Sequence, residues 1–315
     1  MDKKIIFTGF SDEAGRDIDT QIRATLKLGW NSIEARNIDG INIHNLPEEK
    51  FEEVCSRLEN AGINVYCFGS EVANWAKDPL SEDDFQRSIE ELKRALARMS
   101  LLGTKYIRAM SFRRFSSHDE ITPEIEKTVF TKVGYLVKMC EDAGAVFLHE
   151  NCMNYGGMSY IHTLKLLENI DSEAFRLVFD TGNPVITYDY SKKKPYPMQD
   201  PFEFYLNVRE FIEHIHIKDP VFLGPGNSES VFPDARYHFP GEGDGKVPEI
   251  VESLLASGFK GAFSIEPHMK IVRHNKTGEK NTSSAEAEEA NYIEYGNRLM
   301  NIVEKYQILP ETGNP

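Results

Sequence analysis

Short apolar runs alternate with longer amphipathic stretches from one end of this 315-residue chain to the other. The runs are "KIIFTGF" (4–10), "NSIEAR" (31–36), "INVYCFG" (63–69), "KYIRAM" (105–110), "AVFLHE" (145–150), "FRLVFD" (175–180), "EHIHIK" (213–218) and "GAFSIE" (261–266). Each has the length and apolar character of a strand. Between them apolar residues recur at helical spacing, as at Ile18, Ile22 and Leu26. Helix start signals sit at Pro47, Ser81 and Thr122, and glycines stop the same stretches at Gly62, Gly103 and Gly144. Later helices are expected near 158–169, 200–210, 246–257 and 285–306. Eight strand–helix units without a break in composition predict an α/β fold, a (β/α)8 TIM barrel in one domain over residues 1–309. Residues 310–315 read as a frayed tail, and a doubly wound open sheet is the alternative topology.

Two segments stand outside the repeat. Residues 184–200 and 219–245, after the sixth and seventh strands, are long and rich in Pro, Gly and aromatics. Loops of that length on a compact scaffold are usually functional or disordered, and the aromatics here argue against disorder. Tyr188, Tyr190, Tyr196, Phe222, Phe232, Tyr237 and Phe239 are read as walls of a cleft, and His238 and Glu242 as able to reach it.

Barrels of this kind keep their chemistry at the C-terminal ends of the strands. Those ends carry Asp12 and Glu13, Glu34 and Arg36, Ser70 and Glu71, and Arg108, and then Glu150, Asp180, His216 and Glu266. Carboxylates that converge near a barrel axis are costly unless compensated. A divalent cation on Glu150, Asp180, His216 and Glu266 is the simplest remedy. Three carboxylates and an imidazole suit Mn²⁺ or Mg²⁺ best, with Zn²⁺, Co²⁺ or Fe²⁺ possible. In "EHIHIKD", strand alternation puts His214, His216 and Lys218 on one face and Ile215 and Ile217 on the other. His214 then lies one layer below His216 as a hydrogen-bonded core residue, and Lys218 at the mouth. His149 is expected to face the helix layer.

Bulk composition narrows the partners. A formal charge of −14 argues against nucleic acid. No apolar run approaches the ~20 residues that cross a bilayer, and the start lacks a signal-peptide core. Cys55, Cys67, Cys140 and Cys152 are scattered and read as buried free thiols of a cytoplasmic protein. The lysine run 192–194 reads as a solvated loop. A homo-oligomer stays open.

The motifs "LHEN" (148–151), "FDTGN" (179–183), "HIHIKD" (214–219), "PGEGDG" (240–245) and "SIEPH" (264–268) together resemble the sugar phosphate isomerase/epimerase family of xylose isomerase-like TIM barrels. The likeness runs from "GFSDE" at 9–13 to the helix after the last strand. It implies one metal ion on the same four residues, a small carbohydrate substrate, and Glu150 and Glu266 as the acid–base pair. Proton abstraction beside a carbonyl would give an enediolate, and return of the proton would complete an isomerisation or epimerisation. The same intermediate could instead expel a β-substituent, as in a dehydratase or lyase. A working base needs a raised pKa, so loose coordination of at least one glutamate is expected. Lys218, Glu34, Arg108, Asn183, His268 and Trp75 are the substrate-binding candidates, with a salt bridge from Arg108 to Glu34 or Glu71 as its other reading. Asn183 stands where ketohexose epimerases of this family carry a histidine. Their second glutamate after Glu150, and their arginine six residues past the ligand histidine, are also missing. A free ketohexose is therefore a poor expectation. Endonuclease IV shares the fold family but needs a three-metal cluster with several further histidines on the strand 2–4 loops and at strands 6 and 7. Here strand 3 ends in Phe68-Gly69-Ser70, strand 4 in Arg108-Ala109-Met110, and position 183 is Asn. A silent sugar-binding barrel is the remaining class.

Overall fold

In a computed structural model of the chain, residues 5–115, 121–225, 233–269 and 285–307 are described. Phe232 and the tail 310–315 lie outside them. Eight parallel strands make the barrel: β1 Ile6–Gly9, β2 Ser32–Ala35, β3 Asn64–Gly69, β4 Tyr106–Ala109, β5 Val146–Glu150, β6 Phe175–Asp180, β7 Ile212–Ile217 and β8 Ala262–Ile265. They pair in chain order, with β8 returning to β1. The last seam, between β1 and β2, closes through a parallel bridge of Phe10 with Glu34. The open-sheet alternative is thereby excluded.

Eight helices follow the strands in turn: α1 Ile18–Lys27, α2 Glu48–Ala61, α3 Glu82–Leu102, α4 Pro123–Asp142, α5 Tyr160–Ile170, α6 Pro201–Val208, α7 Val247–Ala256 and α8 Ala285–Gln307. Their ends obey the local code. Ser81 and Thr122 accept the N–H of Asp84 and Ile125, and satisfy donors that no helical carbonyl reaches. Gly62 and Gly103 close α2 and α3 in the left-handed conformation, where a Cβ would be strained.

Outward-facing strand residues such as Phe147, Phe179, Ile215 and Phe263 pack under the helices in two large apolar clusters. Inward-facing positions are polar toward the C-terminal end: Thr8, Glu34, His214, His216 and Ser264 are all buried there. His149 faces the helices, as expected, and bonds Ser111 Oγ at 3.0 Å. No described helix is long and apolar enough to cross a membrane.

The loop after β7 holds more order than its composition suggested. Asp219–Gly224 and Asp234–His238 pair as an antiparallel hairpin. The "GEGDG" stretch then wraps one carboxylate: Asp219 accepts the N–H groups of Gly241, Gly243 and Gly245 at 2.7, 3.0 and 2.8 Å. A Cβ at Gly243 would lie 2.5 Å from Asp219 oxygens, so the close approach requires glycine. Its motif is a cradle for the chain's own aspartate, next to Lys218. Glu242, read as able to reach the cleft, pairs with Arg298 on α8.

Candidate functional site

Glu150 and Asp180 end β5 and β6, His216 lies near the end of β7, and Glu266 follows β8. All four are at most 3% exposed, and one donor atom from each lies within 4.8 Å of the others. Strand register explains the convergence. Asp180 and Ser264 both pair with His216, which sets neighbouring inward side chains at one level. His216 Nδ1 is flanked by Glu150 Oε1 at 3.4 Å and Glu266 Oε2 at 3.7 Å.

Glu34, read from the sequence as a substrate-binding candidate, bonds the two histidines of β7. It lies wholly buried below His216, and its Oε2 takes His214 Nε2 at 2.7 Å, His216 Nε2 at 3.0 Å and Ser264 Oγ at 2.8 Å. Its backbone bridges Phe10 at the closing seam. Its function is to orient: with Nε2 committed to Glu34, His216 presents Nδ1 to the other three residues. Replacing Glu34 with Leu should weaken divalent-ion binding by about 10–100-fold, and Gln, which can still accept, should do less harm. Isothermal titration checks this, and equal affinity in all three proteins would remove the orienting role.

The carboxylates are not bare. Arg108, instead of bridging to Glu34 or Glu71, donates Nε to Glu150 Oε2 at 2.6 Å and Nη1 to the Ser70 carbonyl. Lys218, expected at the open mouth, is buried within the cluster, 3.0 Å from Asp180 Oδ2 and 2.9 Å from Glu266 Oε2. Arg36 reaches Glu266 Oε1 at 3.3 Å while pairing with Asp12 and Glu13. Its guanidinium stacks 4.1 Å above Phe10. Arg36 and Glu13 were legible as strand-end charges, but nothing local tied them to Glu266.

These contacts set the titration. Burial works to raise Glu150, but Arg108 and His216 outweigh it and bring the pKa to about 2. Glu266 is likewise held well below its ordinary value, with Lys218 the strongest influence against burial. Asp180 is the raised group, at about 7, through burial and the charges of Glu266 and Glu150 that Lys218 only partly offsets. Burial lowers His216, yet Glu34 and Glu150 prevail and push it up to about 10. The raised carboxyl is therefore the aspartate, not one of the glutamates.

Asn183 holds the cluster: its N–H donates to Asp180 Oδ1 at 2.6 Å and its side chain approaches Glu150 Oε1 at 3.4 Å. His268 sits at the rim with 27% of its side chain exposed and a positive φ of 49°. Glu13 grips it twice, at the backbone N–H and at Nδ1 2.8 Å away, and Nε2 lies 3.6 Å from Glu266 Oε1. Tyr237 of the hairpin lies over it, ring centroids 5.0 Å apart. Trp75 joins an apolar cluster with Met110, Met153, Ile186 and Phe222 from the loops after four strands.

The residues present fit a divalent cation. They are hard-to-borderline donors, and two donor atoms in the cluster make no hydrogen bond: His216 Nδ1, and Asp180 Oδ2, which meets Lys218 only as an ion pair. The nearby cations already offset part of the charge, so a metal is not the only compensation, contrary to the reading from strand ends alone.

The sequence matches the xylose isomerase-like TIM barrel family over residues 22–304, and the chain belongs to that family. The likeness read from the motifs is thereby borne out. Among individual proteins, it is 24% identical over 284 residues to inosose dehydratase 2 of Bacillus cereus, covering 77% of this chain and 89% of that one. A D-tagatose 3-epimerase-like protein superposes with a TM-score of 0.69 at 16% identity, over 96% of this chain and 98% of the other. A xylose isomerase-like TIM barrel protein from Mycobacterium smegmatis, in complex with magnesium, gives 0.65 at 14%, over 95% and 97%.

Proposed function

We propose that this chain is a metal-dependent enzyme that removes a proton beside the carbonyl of a sugar or sugar derivative and returns one to make an epimer or isomer. The observation that carries the reading is the pair Glu150 and Glu266, both buried and 3.4 and 3.7 Å from His216 Nδ1. Glu150, Asp180, His216 and Glu266 would hold the ion, with Mn²⁺ or Mg²⁺ favoured by the three carboxylates. Such an ion supplies a Lewis acid that acidifies the proton next to a carbonyl and stabilises the enediolate that follows.

The chain's own groups do the proton work. Both glutamates are ionised at neutral pH, so either accepts the substrate's proton and can return it on the same face to the neighbouring carbon, giving an isomer. An epimer requires the other glutamate to take a proton from solvent before it delivers one to the opposite face. Both glutamates are weak bases while Arg108 and Lys218 hold them. Substrate oxygens that draw those two cations away would raise the basicity of the glutamates as the substrate binds. Arg36 and Asn183 keep Glu266 and Glu150 aimed inward.

A second reading, a dehydratase or lyase, is favoured by one further feature. Glu13 orients the His268 imidazole beside Glu266. Elimination needs an acid for the departing oxygen besides the base that takes the carbon-bound proton, and a same-face isomerisation does not. Similarity to an inosose dehydratase supports this reading at the level of the family. The substrate is proposed to be a small carbohydrate met in the cytoplasm, consistent with four free cysteines and the −14 charge.

Elemental analysis followed by incubation in D₂O with ketoses, keto-glycosides and cyclic polyol ketones tests both readings. Solvent deuterium in a recovered epimer or isomer supports the first, and loss of water with enone absorbance the second. A protein that takes up no metal and exchanges no proton would sink the mechanism.

A further inference from the structure

A second group of metal-capable side chains meets away from these residues, and one of them is a histidine with nothing to bond. His44 lies in the turn Ile43–Asn45 that follows β2, and its ring is fully buried. Neither Nδ1 nor Nε2 has a hydrogen-bond partner. Buried imidazoles left bare on both nitrogens are rare. Glu71, in the loop after β3, brings Oε2 to 3.9 Å from His44 Nε2, and Glu91 faces the same space from α3. One donor atom from each of the three lies within 4.8 Å of the others. We propose that His44, Glu71 and Glu91 form a second divalent-cation site, suited to a borderline ion such as Zn²⁺, Co²⁺ or Mn²⁺.

The donor set fits that class. One imidazole with two carboxylates takes ions that accept nitrogen as well as oxygen, whereas Mg²⁺ prefers oxygen and retained water. His44 is held neutral: burial, and then the charges of Arg94, Lys77 and Arg98, bring its pKa down to about 3. Both ring nitrogens lack a hydrogen-bond partner, which leaves the imidazole's lone pair open to a ligand bond. Glu71 is 48% exposed and gives an ion a way in from solvent.

The surrounding cations oppose binding and set its strength. Arg94 donates to the His44 carbonyl and to Asn45, and Arg98 to the carbonyls of Ile43 and Leu46, so both are spent on the turn. Lys77 is the competitor. Its ammonium bonds Glu91 Oε2 at 2.7 Å and the Glu71 carbonyl. An ion must share Glu91 with it, so the site is the weaker of the two and empties first on chelation. Occupancy would clip together the turn after β2, the loop after β3 that carries Trp75, and α3.

Counting bound ions in the full chain tests this without any substrate. With the first cluster disabled by Asp180→Asn and Glu266→Gln, equilibrium dialysis against Zn²⁺ should leave about one ion per chain. Adding His44→Gln should weaken it at least about tenfold. Glu71→Gln, at a half-exposed position, should weaken it as well. No retained ion in the first-cluster variant, or an ion indifferent to both His44 and Glu71, overturns the proposal. The outcomes separate the two sites: an ion lost with Asp180 and Glu266 but untouched by His44 belongs to the first cluster alone.

Discussion

Replacing Glu266 with Gln should cut solvent-proton exchange into the substrate by about 10²–10⁴-fold, the range expected for losing an acid–base group. Gln keeps the shape and removes the charge that Lys218, Arg36 and His268 surround. Metal affinity should fall too, so occupancy must be measured beside exchange, with ion in excess. Glu150→Gln should give a similar loss by the mirror route, since it strands Arg108 without its carboxylate. If the two glutamates face opposite sides of one carbon, each variant should keep residual wash-in for only one epimer of a substrate pair. A variant that exchanges at the wild-type rate with either glutamate changed would end the acid–base assignment. The fold and family would stand.

The largest stability effect is expected at Arg108. Substituting Met leaves Glu150 buried beside Glu266 and Asp180 with its main compensating charge gone. Breaking such a pair costs about 3–5 kcal/mol, readable by urea unfolding in the presence of a chelator. Part of that loss should return when Glu150→Gln is added, because the stranded charge is then removed. Acid behaviour gives an independent check. Glu150 titrates at about 2 in the fold against an ordinary 4.5. The stabilisation from its pairing is therefore complete above about pH 4.5 and is lost as pH falls toward 2. In Arg108→Met that acid-sensitive component should shrink. A cost below about 1 kcal/mol would place this pair with the weak, solvent-screened kind.

Much of the barrel was legible because its signals are local. Strands expected at 145–150, 175–180 and 213–218 appear at Val146–Glu150, Phe175–Asp180 and Ile212–Ile217. Alternation inside "EHIHIKD" correctly put His214 below His216 and both inward. The hairpin after β7 was missed because Pro and Gly density looks the same in a wall and in a ribbon. Phe222 joins the apolar cluster beside Trp75, and Tyr237 leans over His268.

Eight strand–helix units, the side chains that point into the barrel, and the three carboxylates and imidazole that close its last four strands are all written in local sequence. Those follow from periodicities of two and 3.6 residues, which act over a few positions at a time. Who compensates whom was decided only in three dimensions. Glu34 meets His214 across 180 positions, Lys218 lies between Asp180 and Glu266, and Arg36 reaches Glu266 across 230. Barrel closure sets those meetings, because the stagger between strands fixes the depth of each inward side chain, and no local pattern encodes that depth.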